Sequence, residues 1–248
     1  MPDRRAAFSA PGGPVGALVL HGFTGSPASM WPLAEAISDA GYALDMPLLP
    51  GHGTTPLDLS TRSYADFRAA TEEHYESLAA RTDRVVAIGL SMGGTLALDL
   101  ATTHRELAGV IAINPFAEPT SPNFPMLLRG GIASGTFSIP SIGSDVARRG
   151  VESSGYDETP LRPLLSLVEA VIDLAPKLQG IRCPVLLFSS VADHVVPPSN
   201  GNFLEDLLFG RIERVMLTHS FHVATLDHDA EEIQQRSLEF LEKVVVAL

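Results

Sequence analysis

The sequence predicts an α/β architecture, a mostly parallel sheet covered by helices on both faces. Three observations carry the expectation. Short apolar runs alternate with longer stretches of helical spacing, the pattern of parallel strands joined by crossover helices. The apolar runs are continuous, as expected of strands buried on both faces. The 248 residues are 45% hydrophobic and 19% charged, enough for one sizeable core, so a single domain over 1–248 is expected.

The elements follow in order. Val15–Leu20 (VGALVL) is a buried strand. Residues 29–40 carry Trp31, Leu33, Ala34 and Ile37 at helical spacing, and Gly41 stops that helix. A strand is expected over 42–48. Ser63 is an N-cap candidate for a helix running to about residue 81. Arg84–Leu90 (RVVAIGL) is a strand, 92–104 a helix and 107–114 a strand. Residues 115–163 break the alternation with many Pro, Gly and Ser among scattered large apolar residues. A connection that long is expected to be functional, and Phe124, Met126, Leu127, Leu128, Ile132, Phe137, Ile139 and Ile142 suit a lid packed on something apolar. The pattern resumes with a helix over 164–178, a strand over 184–189, a helix over 200–209, a strand over 212–217 and a last helix over 229–246.

The net charge of −12 argues against nucleic acid as the main partner, since phosphate binding needs surplus Lys and Arg. No apolar run is long enough for a membrane helix. Cys183 is the single cysteine, which rules out an intrachain disulfide and fits a reducing compartment. Arg4 and Arg5 are followed by no apolar stretch, so no secretory signal is expected and the location is read as cytoplasmic.

The chemistry concentrates at Gly89-Leu90-Ser91-Met92-Gly93, a G-x-S-x-G turn between a predicted strand and a predicted helix. Such a turn forces its serine into a strained conformation, and Gly89 and Gly93 avoid collisions with neighbouring backbone. The alternative is a glycine-rich turn with an ordinary capping serine. A serine hydroxyl needs a base held by a third group, and on this type of scaffold the acid and then the base follow in the chain. Asp193 follows a late strand, while His219 and His222 share the loop after the last strand; as ordinary loop residues they would carry no chemistry. Oxyanion donors are expected from the backbone N–H groups of Met92 and of Phe23 in His21-Gly22-Phe23-Thr24-Gly25. His21 and His52 read as loop-shaping side chains. Neither metal-ligand spacing nor a nucleotide-binding glycine pattern occurs, so no cofactor and no metal are expected.

These residues resemble the α/β-hydrolase superfamily, and within it the bacterial carboxylesterase and monoacylglycerol lipase group, over nearly the whole chain. The resemblance rests on Leu20-His21-Gly22-Phe23-Thr24-Gly25, Pro50-Gly51-His52-Gly53-Thr54, Gly89-Leu90-Ser91-Met92-Gly93-Gly94-Thr95, Ser141-Ile142-Gly143-Ser144-Asp145, Asp193-His194-Val195-Val196-Pro197-Pro198 and His222-Val223-Ala224-Thr225-Leu226-Asp227. It implies the α/β-hydrolase fold with a small cap, residues 116–163, inserted after the strand ending near Asn114. It also implies a Ser91, Asp193, His222 triad, since the family's base precedes Val-Ala-Thr-Leu-Asp. The substrates implied are esters of glycerol or small alcohols with medium or long acyl chains. Ile142 falls at the cap tip, and Leu164, Leu167 and Val168 are acyl-pocket candidates whose alternative is core packing.

One departure concerns the alcohol. Lipases of this group read glycerol through an acidic cap residue before a Tyr-x-x-Thr-Pro stretch, which here begins at Tyr156; the matching position is Ser153, with Glu152 one place earlier. The competing readings are a general short-chain carboxylesterase, a thioesterase, a lyase or C–C hydrolase on the same scaffold, and a non-catalytic ligand-binding relative. The expected partner is a small acyl ester, with transient membrane-surface or micelle contact through the cap. Nothing in the sequence bears on oligomeric state.

Overall fold

The computed structural model describes residues 3–142, 144–151, 153–208 and 210–246. The chain order of its elements is β1 (Phe8–Ala10), β2 (Val15–Leu20), α1 (Trp31–Asp39), β3 (Ala43–Met46), α2 (Pro56–Leu59), α3 (Tyr64–Ala79), β4 (Arg84–Leu90), α4 (Met92–Thr103) and β5 (Gly109–Ile113). There follow α5 (Asn123–Ala133), β6 (Ser138–Pro140), β7 (Glu158–Pro160), α6 (Leu161–Leu174), β8 (Val185–Ser190), α7 (Ser199–Leu207), β9 (Ile212–Leu217) and α8 (Ala230–Val246).

Seven strands form one sheet in the order β1-β3-β2-β4-β5-β8-β9, and every pair is parallel except β1 against β3. Side chains alternate across β2. Leu18 and Leu20 join the core beneath α3, α4 and α6, whereas Val15, Ala17 and Val19 join the core beneath α1 and α8. Both faces are therefore sealed, which is why VGALVL reads as apolar throughout. Ser63 caps α3 as expected: its hydroxyl and its N–H both meet the Asp66 carboxylate at 2.7 Å, the latter bond one half of a capping box.

Three differences from the sequence reading have local causes. β1 is a short antiparallel edge strand in a stretch too polar to announce itself. The helix expected over 164–178 begins three residues earlier, because Pro163 sits in its first turn, where a missing N–H costs nothing. Its final turns are a 3₁₀ helix at Ala175–Gly180. The irregular stretch contains α5 and the small β6–β7 hairpin pairing. Pro125 and the Gly130-Gly131 pair conceal α5 in the sequence. Leu128, Leu161 and Val168 form a small separate core between α5 and α6. No helix among the described residues is long and apolar enough to cross a membrane.

Candidate active site

Ser91 stands one residue beyond β4, at φ +55° and ψ −120°, as the cap residue of α4. A left-handed φ at a serine is strained, and the surroundings enforce it. The Ser91 N–H donates to the Ile113 carbonyl at the end of β5. A Cβ on Gly89 would lie 2.1 Å from the backbone of Gly93, and one on Gly93 would lie 2.2 Å from the Leu20 carbonyl oxygen. Both glycines are thus required by backbone contact, as the motif predicts. Three non-glycine residues have left-handed φ among the described residues: Thr24, Ser91 and Asn114. All three border this site.

Asp193 and His222 meet directly. His222 Nδ1 lies 2.7 Å from Asp193 Oδ2, and both side chains are almost sealed from water. The other carboxylate oxygen, Oδ1, accepts the N–H groups of Val195 and Val196 at 2.8 and 2.7 Å. With its orientation fixed from that side, the carboxylate selects the Nδ1–H tautomer and leaves Nε2 as the acceptor. His219 turns elsewhere: its ring pairs with Asp229 and stays largely exposed. Among the described residues no hydrogen bond joins Ser91 Oγ to His222, a contact that characteristically tightens when substrate binds.

Asn114, which the sequence reading did not single out, knits the three strand ends together. Its amide donates to the Ser190 hydroxyl at 2.9 Å and the His222 carbonyl at 2.8 Å, and its carbonyl accepts the Ser190 N–H at 2.7 Å. An asparagine just past a strand end is an ordinary loop residue in sequence. Its φ of +44° and its burial emerge only from the fold.

The loop after β2 passes directly beside Ser91, where a Cβ on Gly22 would lie 3.4 Å from the serine Cβ. Two buried histidines shape that loop. His21 Nδ1–H donates to the Gly22 carbonyl at 2.9 Å, and Nε2 accepts the Leu49 N–H at 3.1 Å. His52 repeats the pattern, with Nδ1–H to the Pro50 carbonyl at 3.0 Å and Nε2 from the Thr24 N–H at 3.2 Å. Each ring needs one acceptor nitrogen, so each is neutral. Burial, and for His21 the neighbouring His52 as well, pushes the two down to about 3 and about 4. The Phe23 ring packs near His52 and Phe67, and its N–H has no partner among the described residues. The Met92 N–H opens α4, where the helix offers it no acceptor.

The segment before β7 is tied to this loop. The Tyr156 N–H donates to the Thr24 carbonyl, and the Tyr156 hydroxyl accepts the Thr54 N–H at 2.8 Å while donating to the Gly51 carbonyl at 2.9 Å. The hydroxyls of Ser154 and Ser26 are 2.6 Å apart. Ser153 is half-buried and its N–H donates to the Ser144 hydroxyl. Glu152 lies outside the described residues. Ile142 is 63% exposed. Leu167 belongs to the main core, Val168 to the small core between α5 and α6, and Leu164 packs half-buried against the latter. Among the described residues no group of three or more His, Cys, Asp or Glu side chains is arranged to hold a metal ion.

A sequence profile of the alpha/beta hydrolase family matches residues 17–236. The chain is 42% identical over 243 residues to the thermostable monoacylglycerol lipase of Bacillus sp. (strain H-257), covering 95% of this chain and 94% of that protein. It is 26% identical over 244 residues to a carboxylesterase of Bacillus subtilis (strain 168), covering 96% of each. A solved structure from LipS and LipT, two metagenome-derived lipolytic enzymes, superposes with a TM-score of 0.92 at 36% identity, covering 97% of this chain and 98% of the other.

Proposed function

The chain belongs to the α/β-hydrolase family, and from that premise we propose that it is a serine carboxylic ester hydrolase acting on monoacylglycerols or similar medium- and long-chain acyl esters. What supports this reading is a strained serine past the carboxyl end of β4 and a buried histidine–carboxylate pair in the loops past the carboxyl ends of β8 and β9 of the same parallel sheet. Similarity across the full length of a monoacylglycerol lipase supports the substrate class.

In the proposed reaction His222 Nε2 takes the Ser91 proton as Oγ attacks the ester carbonyl. The charge that forms on the carbonyl oxygen is held by the N–H groups of Phe23 and Met92, which have no partner among the described residues. Asp193 keeps the ring oriented and stabilises the imidazolium. Collapse of the tetrahedral intermediate expels the alcohol with a proton from His222, leaving Ser91 acylated. Water then attacks the acyl-enzyme with His222 as base, releasing the acid and restoring Ser91.

Residues 116–163 act as a cap within a single domain over 1–248. Its exposed Met126, Leu127 and Ile142 make brief contact with micelle or membrane surfaces where such esters reside, and the enzyme works in the cytoplasm. Leu164, Leu167 and Val168 back the acyl chain, with Ile142 at the cap tip, and Ser153 approaches the alcohol.

The test is turnover of 1-monolauroylglycerol and p-nitrophenyl butyrate by the native protein and by Ser91→Ala. Native turnover, with Ser91→Ala reduced to background and no longer labelled by a fluorophosphonate, is the expected result. A Ser91→Ala variant as fast as the native protein overturns it. Preference for the butyrate ester would instead favour a short-chain carboxylesterase, the activity named for the Bacillus subtilis relative.

A further inference from the structure

We infer that Asp145, in the cap segment that precedes Tyr156, is a positioning residue for the catalytic base, and that the cap thereby sets the alignment of the triad. The inference rests on the ester-hydrolase reading and extends it to a residue that makes no contact with the reacting atoms.

Asp145 is 8% exposed and lies about eighty residues in sequence from the base it touches. Its Oδ2 accepts two backbone N–H groups, from His222 at 3.0 Å and from His194 at 3.1 Å. Oδ1 lies 2.8 Å from His194 Nδ1, and the Asp145 carbonyl accepts the Val223 N–H at 3.0 Å. One carboxylate therefore spans the residue after the acid and the base itself, and fixes the separation of the two loops that carry them.

The contact is reciprocated. Asp227, five residues past the base, is buried and receives the Ala147 and Arg148 N–H groups at 2.7 and 2.9 Å. It also takes the Phe221 and His228 N–H groups at 2.9 and 2.8 Å. The base loop thus grips the cap flank through Asp227 while the cap flank grips the base loop through Asp145. Hydrogen bonds from backbone amides to a carboxylate are short and directional, so the pair resists sliding of either loop. Asn114 restrains the same loop at the His222 carbonyl, and Asp145 restrains it at the His222 amide; the two together clamp the residue on both sides.

The consequence is that a displaced cap flank moves His222. Reaction geometry is steep in such displacements, since a shift near 1 Å in a reacting group costs on the order of 100-fold in rate. Asp145→Ala removes both oxygens, and its kcat is expected to fall about 30-fold with KM changed less than about twofold. Asp145→Asn keeps one acceptor oxygen and recovers part of the loss, to about fivefold below native. Thermal unfolding checks that each variant is folded at the assay temperature; if Asp145→Ala is not, Asp145→Asn decides by the same criterion. Native kcat in the folded variants, or a loss confined to KM, overturns the inference, the latter making Asp145 a cap residue that shapes substrate binding only. Ser91→Ala run in parallel separates the two levels. Loss of activity there, with native rates in the Asp145 variants, sinks the positioning role alone, whereas native rates in Ser91→Ala sink the ester-hydrolase reading beneath it.

Discussion

Asp193 holds His222 at 2.7 Å with one oxygen while its other oxygen is occupied by the Val195 and Val196 N–H groups. The carboxylate cannot rotate without losing both amides, so the face it turns to the imidazole is fixed. Asp193→Asn keeps the amide-bonded oxygen and is forced to present its NH₂ group to Nδ1. The ring then carries its proton on Nε2, the nitrogen that accepts one from Ser91 in the proposed reaction. A fall in kcat of about 10³–10⁴-fold is expected, with thermal stability near native. Steady-state kinetics alongside a melting curve checks this; a smaller kinetic loss would show that the ring keeps its tautomer by other means.

The glycines divide sharply in what they tolerate. Gly93→Ala would place a methyl group 2.2 Å from the Leu20 carbonyl oxygen, where nothing flexible can yield. A destabilisation of about 3 kcal/mol or more is expected. At Gly130, in the interior of α5, a methyl group would meet nothing within 4 Å, so Gly130→Ala should stabilise by about 0.5–1 kcal/mol. Urea unfolding of both variants measures the contrast.

Acid should loosen the loop after β2 before it unfolds the sheet. His21 and His52 are held down to about 3 and about 4 by burial, against an ordinary histidine value of 6.5. The unfolded chain therefore takes up two protons that the folded one refuses. Stability from this source is nearly complete above about pH 6.5 and is lost as the pH falls, most steeply near pH 5 at roughly 2 kcal/mol per pH unit. His52→Gln should halve the slope in a series of urea melts.

His74, on α3, and His104, just past the end of α4, act in the opposite sense. The Asp45 carboxylate raises His74. At His104 burial pulls downward, but the Glu106 and Glu72 carboxylates outweigh it and raise that ring too. Their contribution is full below about pH 6.5 and fades as the pH rises through their folded values. The two groups together predict a stability maximum close to neutrality, readable from the same melts.

The Tyr156 hydroxyl bridges Thr54 and Gly51. Tyr156→Phe leaves the ring in place and removes both bonds, at an expected cost of about 1 kcal/mol. Amide exchange at Thr54 should accelerate, because its N–H loses its acceptor. Unchanged exchange there would show that water replaces the hydroxyl.

Legibility in the sequence varied with the range of the interaction. Val15–Leu20, Arg84–Leu90 and Ile212–Leu217 were readable to the residue because apolar runs and short-range turn chemistry define them. Gly89 and Gly93 were readable because a tight turn excludes side chains locally. The loop-shaping character of His21 and His52 could be anticipated, although their neutral state and their partners on Leu49 and Thr24 could not. Asn114 and Asp145 were beyond reach, since the first acts through Ser190 and His222 and the second through His194 and His222, all distant in the chain. Helix α5 was hidden for a different reason: its proline and paired glycines oppose helix formation, and packing against α6 overrides them.

The strand order β1-β3-β2-β4-β5-β8-β9 also bears on how the protein acquires its reactivity. The residues past the carboxyl ends of the strands are drawn from loops near positions 23, 91, 114, 193 and 222, so no fragment of the chain carries a working subset. Helices α3 and α4 with the strand between them, and the β8-α7-β9 unit, can each form early from near neighbours, but the parallel pairing of β8 on β5, which joins Val110 to Val185, must close before the His222–Asp193 pair is brought to the end of the sheet that carries Ser91. During refolding, then, helical signal should return ahead of esterase activity, and the docking of β8 against β5 sets the moment at which the polypeptide becomes a catalyst.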